Sequence, residues 1–133
     1  MSASHSGLAR WHAYMESGGD AALLSALIAE NCVFHSPVVH TPQAGKPVVM
    51  AYLLAAAKVL GNDAFHYVRE VVDGDEVVLE FVTELDGISV NGVDIMHFNA
   101  DGQISDFKVM VRPLKAINAV WQMMGAQLAA AKG

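Results

Sequence analysis

Polar and apolar residues alternate with a period of two across the second half of the chain, from position 64 to position 112. This alternation is typical of strands that bury one face and expose the other. Four strands are therefore predicted, at 64–72, 77–85, 88–99 and 103–112. Their short connections contain glycine with aspartate or asparagine, as tight hairpin turns require, so the strands should form one antiparallel meander.

The first half of the chain repeats its apolar residues every three to four positions, as helices do. One helix is predicted at 8–18. A second follows Asp20, whose side chain can cap it, and a third runs to position 60 behind Pro47. A short strand at 32–36 and a loop at 38–45 are predicted between the second and the third helix. The buried stripe of the second helix is predicted to be Leu23, Leu24, Leu27 and Ile28.

A last helix follows Pro113 and reaches about position 131, with this predicted buried stripe: Leu114, Ile117, Trp121, Met124 and Leu128. Three helices, a strongly curved antiparallel sheet and an extra C-terminal helix indicate an α+β fold in which the helices close one end of a cone. A cone closed in this way leaves a pocket. Positions 1–133 are predicted to form a single domain, since no linker or repeat interrupts them.

The hairpin predicted at 88–112 places one carboxylate on an otherwise apolar face. Asp94 shares that face with Met96 and Phe98, and with Phe107 and Val109 on the returning strand. A carboxylate in such surroundings either finds a hydrogen-bond partner or takes part in chemistry. Burial would raise its pKa, which suits a proton shuttle or a donor to a carbonyl oxygen. Asp94 is therefore the first catalytic candidate, and the alternative is a structural carboxylate.

The composition favours a protein that hides apolar surface in a cavity or an oligomer interface, with 53% hydrophobic residues and a mean hydropathy of +0.33. Its longest apolar run, at 48–57, is shorter than the roughly 20 residues of a membrane span. A net charge of −6 without a basic cluster argues against a nucleic-acid partner. The start of the chain lacks the pattern of a secretory signal, so a cytoplasmic location is predicted.

The cysteine and histidine residues do not have the spacing of a metal site. Cys32 is the single cysteine, which excludes an internal disulfide and a cysteine-based zinc site. Six histidines are present, but no two share a strand face or a helix face at ligand spacing. The sequence therefore predicts neither a metal nor another cofactor.

Several segments in order resemble the nuclear-transport-factor-2-like (NTF2-like) superfamily, and its SnoaL-like branch within it. These segments are SGGD, VFHSP, AGKPVVMAYL, DGDEVVLEF, VNGVDIMHFNADGQISDF and VRP, which together span nearly the whole chain. The branch includes ketosteroid isomerases, polyketide cyclases and limonene-epoxide hydrolases. The resemblance implies a cone-shaped fold with a deep apolar pocket, and a homodimer formed through the outer sheet face.

The family's functional residues match this chain unevenly. Ketosteroid isomerases have a carboxylate base before the proline of the first strand, where this chain has Ser36. Their protonated carboxylic acid matches Asp94, and their helical tyrosine donor matches His12, or Trp11 if the register shifts by one. The hydrolase triad is absent, because Phe81, Thr83 and Val109 occupy its positions. The polyketide cyclases are the least excluded relatives, since their chemistry needs one carboxylate and a neighbouring histidine.

His12 is accordingly the second catalytic candidate, as a proton relay reached from Asp94 across the cone. Its alternative role is a partly exposed histidine on a solvated helix face. The predicted substrate-binding residues are Trp11, Tyr14, Phe34, Ser36, Tyr52, Phe81, Thr83, Met96, Phe107 and Val109. Each aromatic or aliphatic member alone would more often be plain core, but together they would favour a flat apolar ligand with one or two oxygen atoms.

Two functional hypotheses follow from these residues. The first is proton-transfer chemistry on a small hydrophobic carbonyl compound, as in an isomerase or an aldol-type cyclase, with Asp94 as acid, base or oxyanion donor. The second is a non-catalytic binding or dimerisation module, which the serine at position 36 and the missing hydrolase triad favour.

Overall fold

The computed structural model describes residues 3–132, with side chains described for 6–130. Within that range the elements, in chain order, are α1 (Ala3–Glu16), α2 (Ala21–Leu27), β1 (Ile28–His35), β2 (Gln43–Ala44), α3 (Lys46–Leu60), β3 (His66–Asp73), β4 (Glu76–Leu85), β5 (Ile88–Phe98), β6 (Ile104–Arg112) and α4 (Leu114–Lys132). The predicted helices and meander strands are present, with ends shifted by a few residues.

The six strands form one sheet in the order β2-β1-β6-β5-β4-β3. Strands β3 to β6 are the predicted antiparallel meander. Strand β1, however, pairs with β6 in parallel, so the sheet is mixed and the prediction of a wholly antiparallel sheet was wrong. These two strands lie far apart in the chain, and no hairpin forces them into opposite directions. The helices pack on this sheet in the predicted α+β cone.

The meander turns have the backbone geometry that their residues favour. Asp86 and Gly87 both have positive φ angles, of 49° and 79°, as a two-residue hairpin turn requires. In the β5–β6 turn, Asn99 Oδ1 accepts hydrogen bonds from the backbone N–H groups of Asp101 and Gln103, each at 3.0 Å. This turn fixes the register in which Asp94 lies opposite Val109.

Helix α2 is shorter than predicted and only part of its apolar stripe is buried. Asp20 caps it as expected, accepting from the N–H groups of Ala22 and Leu23 at 2.9 and 3.3 Å. The helix ends at Leu27, and Ile28 is a buried residue of β1. Leu23 is exposed, so its assignment to the buried stripe was wrong. Strand β1 therefore begins four residues earlier than the alternation alone indicated.

Helix α4 packs through a different face from the predicted one. Its buried residues are Ala116, Val120 and Met124, whereas Leu114 and Trp121 are 72% and 61% exposed. The small side chain of Ala116 packs in one cluster with Ala55 and other residues of α3, and such small residues let two helices approach closely. The placement of Leu114 and Trp121 in the core was therefore wrong, although Met124 is buried as predicted.

The core consists of two clusters of buried side chains with space between them. One cluster joins α1, α2 and β1 to the middle of the sheet, and the other joins α3 and α4 to the β4–β5 end. No helix within residues 3–132 has the length and apolar character needed to cross a membrane. Across the same residues, no group of three or more histidine, cysteine, aspartate or glutamate side chains could hold a metal ion.

Gly92 lets an aromatic ring lie flat against β5. It pairs directly with Phe81 of β4, and a Cβ atom built at Gly92 would lie 2.3 Å from Phe81 Cζ and 2.9 Å from the Met110 carbonyl oxygen. The Phe81 ring stacks on Phe65 with a centroid distance of 5.1 Å. Any side chain at position 92 would therefore push Phe81 out of its place in the core.

We expect Gly92→Ala to lower the free energy of unfolding by about 1–3 kcal/mol, because the added methyl group overpacks this contact. Urea denaturation followed by circular dichroism measures the loss. Gly125→Ala is the matched control, since nothing lies within 4 Å of a Cβ at that helical position. There the change should stabilise the protein by about 0.5–1 kcal/mol through helix propensity. Equal effects of the two substitutions would contradict the packing argument.

Candidate active site

An apolar cavity of about 170 Å³ lies between the two core clusters. Helix α1, strands β1, β4, β5 and β6, and helices α3 and α4 all contribute to its wall, as does the segment that follows β1. Almost all of its lining side chains are hydrocarbon or aromatic. Among the described lining residues, Asp94 is the one carboxylate, and no lysine, arginine or histidine is present. The cavity therefore suits an uncharged, largely apolar molecule.

The structure places eight of the ten predicted substrate-binding residues at the cavity wall. These eight are Trp11, Tyr14, Phe34, Ser36, Tyr52, Phe81, Phe107 and Val109. Thr83 and Met96 are buried but lie outside it. Thr83 Oγ1 donates to Asn62 Oδ1 at 3.0 Å, and Met96 packs in the first core cluster. Both are buried as the alternation predicted, but neither contributes to the cavity wall.

Asp94 is buried at the cavity wall, with 6% of its surface exposed. On its own strand face it lies between Leu79 of β4 and Val109 of β6, neither of which can solvate a charge. Among the described residues, one hydrogen bond reaches its carboxyl group, from the Tyr67 hydroxyl to Oδ2 at 2.9 Å. Burial raises the pKa of Asp94 from 3.8 to about 7, and the Tyr67 hydrogen bond opposes that shift. Both protonation states are therefore accessible near neutral pH.

Tyr67 is a site residue that the sequence reasoning missed. Its hydroxyl donates to Asp94 and accepts from Trp11 Nε1 at 3.0 Å. Burial, and then the Asp94 charge, raise the pKa of Tyr67 well above its ordinary value, so the phenol stays protonated. The period-two pattern assigns alternate residues of β3 to opposite faces. The register of β3 shifts between Tyr67 and Arg69, so this alternation is broken and does not show which way Tyr67 points.

His12 does not reach Asp94. Its Nε2 atom lies 2.8 Å from Glu70 Oε1 on the exposed side of the sheet edge, and it is not part of the cavity wall. Trp11 and Tyr14 are three positions apart and share the inward face of α1, so the residue next to Trp11 turns away from it. The side chain that reaches Asp94 is Tyr67, against whose ring the His12 ring packs at a centroid distance of 5.9 Å.

Tyr14 brings a buried hydroxyl group to the cavity wall. The side chain is buried, and among the described residues its hydroxyl has no hydrogen-bond partner. Burial raises the pKa of Tyr14 to about 12, so the phenol is protonated at neutral pH and keeps its donor. The Trp11 ring packs against it with a centroid distance of 5.3 Å. A buried hydroxyl of this kind can satisfy its hydrogen-bonding capacity by binding an oxygen atom of a ligand.

Ser36 lies at the cavity wall beside Pro37, where the resemblance places the base of ketosteroid isomerases. Its hydroxyl oxygen accepts a hydrogen bond from the backbone N–H of Val38 at 3.1 Å. This bond holds the turn that leads out of β1. A serine hydroxyl cannot act as a carboxylate base at neutral pH, and Asp94 is the one carboxyl group among the described residues of the wall.

The fold agrees with comparisons to known proteins. The family model of the SnoaL-like domain matches residues 8–107, which is most of the chain. The protein belongs to the SnoaL-like family. No curated protein matches this SnoaL-like domain. The NTF2-like resemblance is thereby confirmed at the level of family and fold.

Solved structures place the SnoaL-like domain among bacterial relatives. A steroid delta-isomerase from Pseudomonas aeruginosa is 36% identical, with a TM-score of 0.92 over 98% of this chain and 95% of that chain. An uncharacterised protein with a cystatin-like fold from Silicibacter pomeroyi is 31% identical, with a TM-score of 0.83 over 91% and 84%. An NTF2-like protein of unknown function from Mesorhizobium loti is 26% identical, with a TM-score of 0.71 over 84% and 92%.

The raised pKa of Asp94 predicts how the stability of the SnoaL-like domain depends on pH. Below pH 4 the carboxyl group is protonated in both the folded and the unfolded state. Between pH 4 and 7 the unfolded state loses this proton while the folded state keeps it, so the contribution of Asp94 to stability falls as pH rises. Above pH 7 the penalty is constant, on the order of a few kcal/mol.

Asp94→Asn removes this titration while it keeps an acceptor for Tyr67. We expect the unfolding free energy of the wild-type protein, minus that of the variant, to fall by a few kcal/mol between pH 4 and 7 and then to level off. Urea denaturation at half-unit pH steps gives this difference. A difference that stays flat or rises over the same range would show that the carboxyl group is not buried as described.

Proposed function

We propose that this protein binds a small, uncharged carbonyl compound in the apolar cavity and exchanges a proton with it through Asp94. The observation that carries the proposal is one carboxyl group among the described residues of a hydrocarbon wall, where burial raises its pKa to about 7. General acids and bases work best when their pKa lies near the working pH. Asp94 can therefore donate to a carbonyl oxygen in its neutral form and take up a proton in its ionised form.

The Asp94 carboxyl group and the Tyr14 hydroxyl favour a ligand that places one oxygen atom at this wall. The neutral Asp94 carboxyl group and the Tyr14 hydroxyl are both hydrogen-bond donors, and among the described residues the Tyr14 hydroxyl has no other partner. Donors of this type stabilise the negative charge that develops on a carbonyl oxygen when an adjacent C–H proton leaves. The rest of the ligand would contact aromatic and aliphatic side chains, which suits one or more flat rings.

We infer the reaction class from the number of carboxyl groups at the site, which is one among the described residues of this protein instead of the two of ketosteroid isomerases. Ketosteroid isomerases divide the work between a base and an oxyanion donor, whereas Ser36 occupies the base position in this chain. Asp94 would then serve in turn as the donor to the oxygen and as the acceptor of the carbon-bound proton, which gives an enol and returns the carboxyl group to its starting state. Enolisation of this kind begins both isomerisation and aldol-type cyclisation. The 36% identity to a steroid delta-isomerase supports cyclic ketones as the first compounds to test.

The alternative proposal is a binding module without catalysis, and the serine at position 36 favours it. The cavity, Tyr14 and Asp94 would then recognise the ligand oxygen but would not transfer a proton. This alternative predicts the same ligand class and the same binding site. Only a measurement of proton exchange separates the two functions.

We also propose that the protein is a homodimer formed through the outer sheet face, in the predicted cytoplasmic location. Half-exposed apolar side chains support this face as an interface, among them Val71 of β3 and Met110 of β6. Sedimentation equilibrium should give twice the mass of one chain. Substitution of Met110 by glutamate should shift the equilibrium to the mass of one chain, because it places an unpaired charge in the interface. A wild-type monomer at high protein concentration would contradict the proposal.

Exchange of the α-hydrogens of 2-tetralone for deuterium tests the proposed chemistry without knowledge of the natural substrate. We expect the wild-type protein to accelerate exchange above the buffer rate, and Asp94→Asn to reduce the acceleration by about 10²-fold or more. Proton NMR in deuterated buffer measures the rate. Asp106→Asn is the matched control, because this carboxylate lies on the outer face of β6 and interacts with His35.

Binding of 2-naphthol, a flat phenol, is measured in parallel by fluorescence. Asp94→Asn should retain binding within about tenfold, since an amide can still donate to the phenol oxygen. Tyr14→Phe should weaken binding by about tenfold through loss of one hydrogen bond. Binding without accelerated exchange would support the non-catalytic module. Failure of the wild-type protein both to bind naphthol and to exchange tetralone would overturn both proposals.

A further inference from the structure

A chain of hydrogen bonds behind the cavity wall links Trp11 to Asp94 through Tyr67. Trp11 Nε1 donates to the Tyr67 hydroxyl at 3.0 Å, and this hydroxyl donates to Asp94 Oδ2 at 2.9 Å. Tyr67 is not part of the cavity wall, whereas Asp94 and Trp11 are. A ligand would therefore touch the two ends of the chain but not its middle.

The direction of this chain is set by its first member. An indole N–H can donate but cannot accept, so the Tyr67 oxygen must be the acceptor of the first bond. The single hydroxyl hydrogen of Tyr67 is then directed to Asp94 Oδ2, which must itself be an acceptor. When Asp94 is neutral, its proton therefore resides on the other oxygen, Oδ1.

Aromatic packing holds the two donors in place. The Trp11 ring lies between Tyr14 and Phe107, with centroid distances of 5.3 and 5.2 Å. The Tyr67 ring makes an edge contact with Phe65 at 5.2 Å. Neither donor can turn away without disturbing these contacts, so the hydrogen bonds are preorganised before a ligand arrives.

We propose that Trp11 and Tyr67 are positioning residues that keep Asp94 Oδ2 occupied as an acceptor, so that the exchangeable proton is always presented to the ligand on Oδ1. This inference rests on the proposed proton exchange at Asp94 and adds the direction of the donor. Without the chain, the carboxyl group could place its proton on either oxygen and turn half of its neutral population away from the ligand. The chain thus makes one carboxyl oxygen the working atom.

Near neutral pH, Asp94 is the group that titrates in this hydrogen-bond chain. The side chains that face this region from helix α1 are Trp11 and the protonated Tyr14. The direct neighbours of Asp94 on the adjacent strands are Leu79 and Val109, which do not titrate. Beyond the Tyr67 ring, His12 is paired with Glu70 at the exposed edge. A pH titration of the Asp94 carboxyl carbon therefore reports on the chain, provided that His12→Gln serves as a background control for the histidine.

The test is a double-mutant cycle read by carbon-13 NMR titration of Asp94, which needs no substrate. Tyr67→Phe removes the donor to the carboxylate and should raise the pKa of Asp94 by about one unit. Trp11→Phe keeps a ring at the wall but frees the Tyr67 hydroxyl to accept as well as donate. The Trp11→Phe substitution should raise the pKa of Asp94 by about half a unit, because the released Tyr67 hydroxyl can also accept a hydrogen bond from the neutral acid.

The cycle distinguishes positioning from a change in the polarity of the wall. If Trp11 acts through Tyr67, then Trp11→Phe should have no further effect in a protein that already carries Tyr67→Phe. Equal shifts in both backgrounds would overturn the inference, as would an unchanged pKa in Tyr67→Phe. Trp121→Phe, at the exposed part of the wall, is the matched control and should leave the titration unchanged.

A second measurement keeps the test valid if Tyr67→Phe does not fold. Replacement of Tyr67 by 3-fluorotyrosine keeps the hydroxyl and makes it a stronger donor, so the pKa of Asp94 should fall instead of rise. A rise would overturn the inference. Because every readout is a titration of the free protein, these outcomes stand apart from the tetralone and naphthol results that decide the proposed function.

Discussion

The site depends on the free-energy cost of placing one carboxyl group in a hydrocarbon wall. Water would offer an ionised carboxylate several hydrogen bonds, whereas Asp94 receives one, from Tyr67. One bond offsets only part of the lost hydration, so the neutral acid becomes accessible near neutral pH. A more polar wall would leave Asp94 permanently ionised, and a wall without Tyr67 would favour the neutral acid further.

The architecture maintains this balance by keeping the cavity open beside a well-packed core. Two clusters of side chains pack on either side of it, and the wall between them is almost wholly apolar. Gly92 allows the Phe81 ring to lie against β5, where it forms part of that wall. The exposed Trp121 on α4 also belongs to the lining, so the C-terminal helix forms an outer part of the cavity as well as packing on α3.

Membership of the SnoaL-like family explains the cone but does not specify the reaction. The same fold carries different residues at the positions where its members do chemistry, and function is decided by those residues. In this chain the position before Pro37 is a serine, and the carboxyl group on β5 is present. The hydrogen-bond chain from Trp11 is a feature of these particular side chains, and it gives the single acid a defined orientation.

The amino-acid sequence predicted the order of the helices and longer strands, the meander and the inward direction of Asp94. These features depend on local periodicity, on turn residues such as Asp86-Gly87, and on the alternation of faces along one strand. The sequence also predicted eight residues of the described cavity wall besides Asp94, because aromatic residues on inward faces converge inside a cone. It did not predict β2, which lies in the segment 38–45, so the expectation of a loop there was wrong. The buried face of α4 was predicted incorrectly, since several faces of that helix are apolar and only its contact with α3 selects one.

The tertiary structure alone decided which side chain reaches Asp94. His12 and Tyr67 both belong to elements near the cavity, but one residue along α1 changes the direction of a side chain by about 100°. That rotation places Trp11 inside and leaves His12 with Glu70 at the edge. The register shift in β3, which lies two strands from β5 in the sheet, then brings the Tyr67 hydroxyl to the carboxyl group. Such contacts between residues far apart in the chain arise from packing, and no local pattern encodes them.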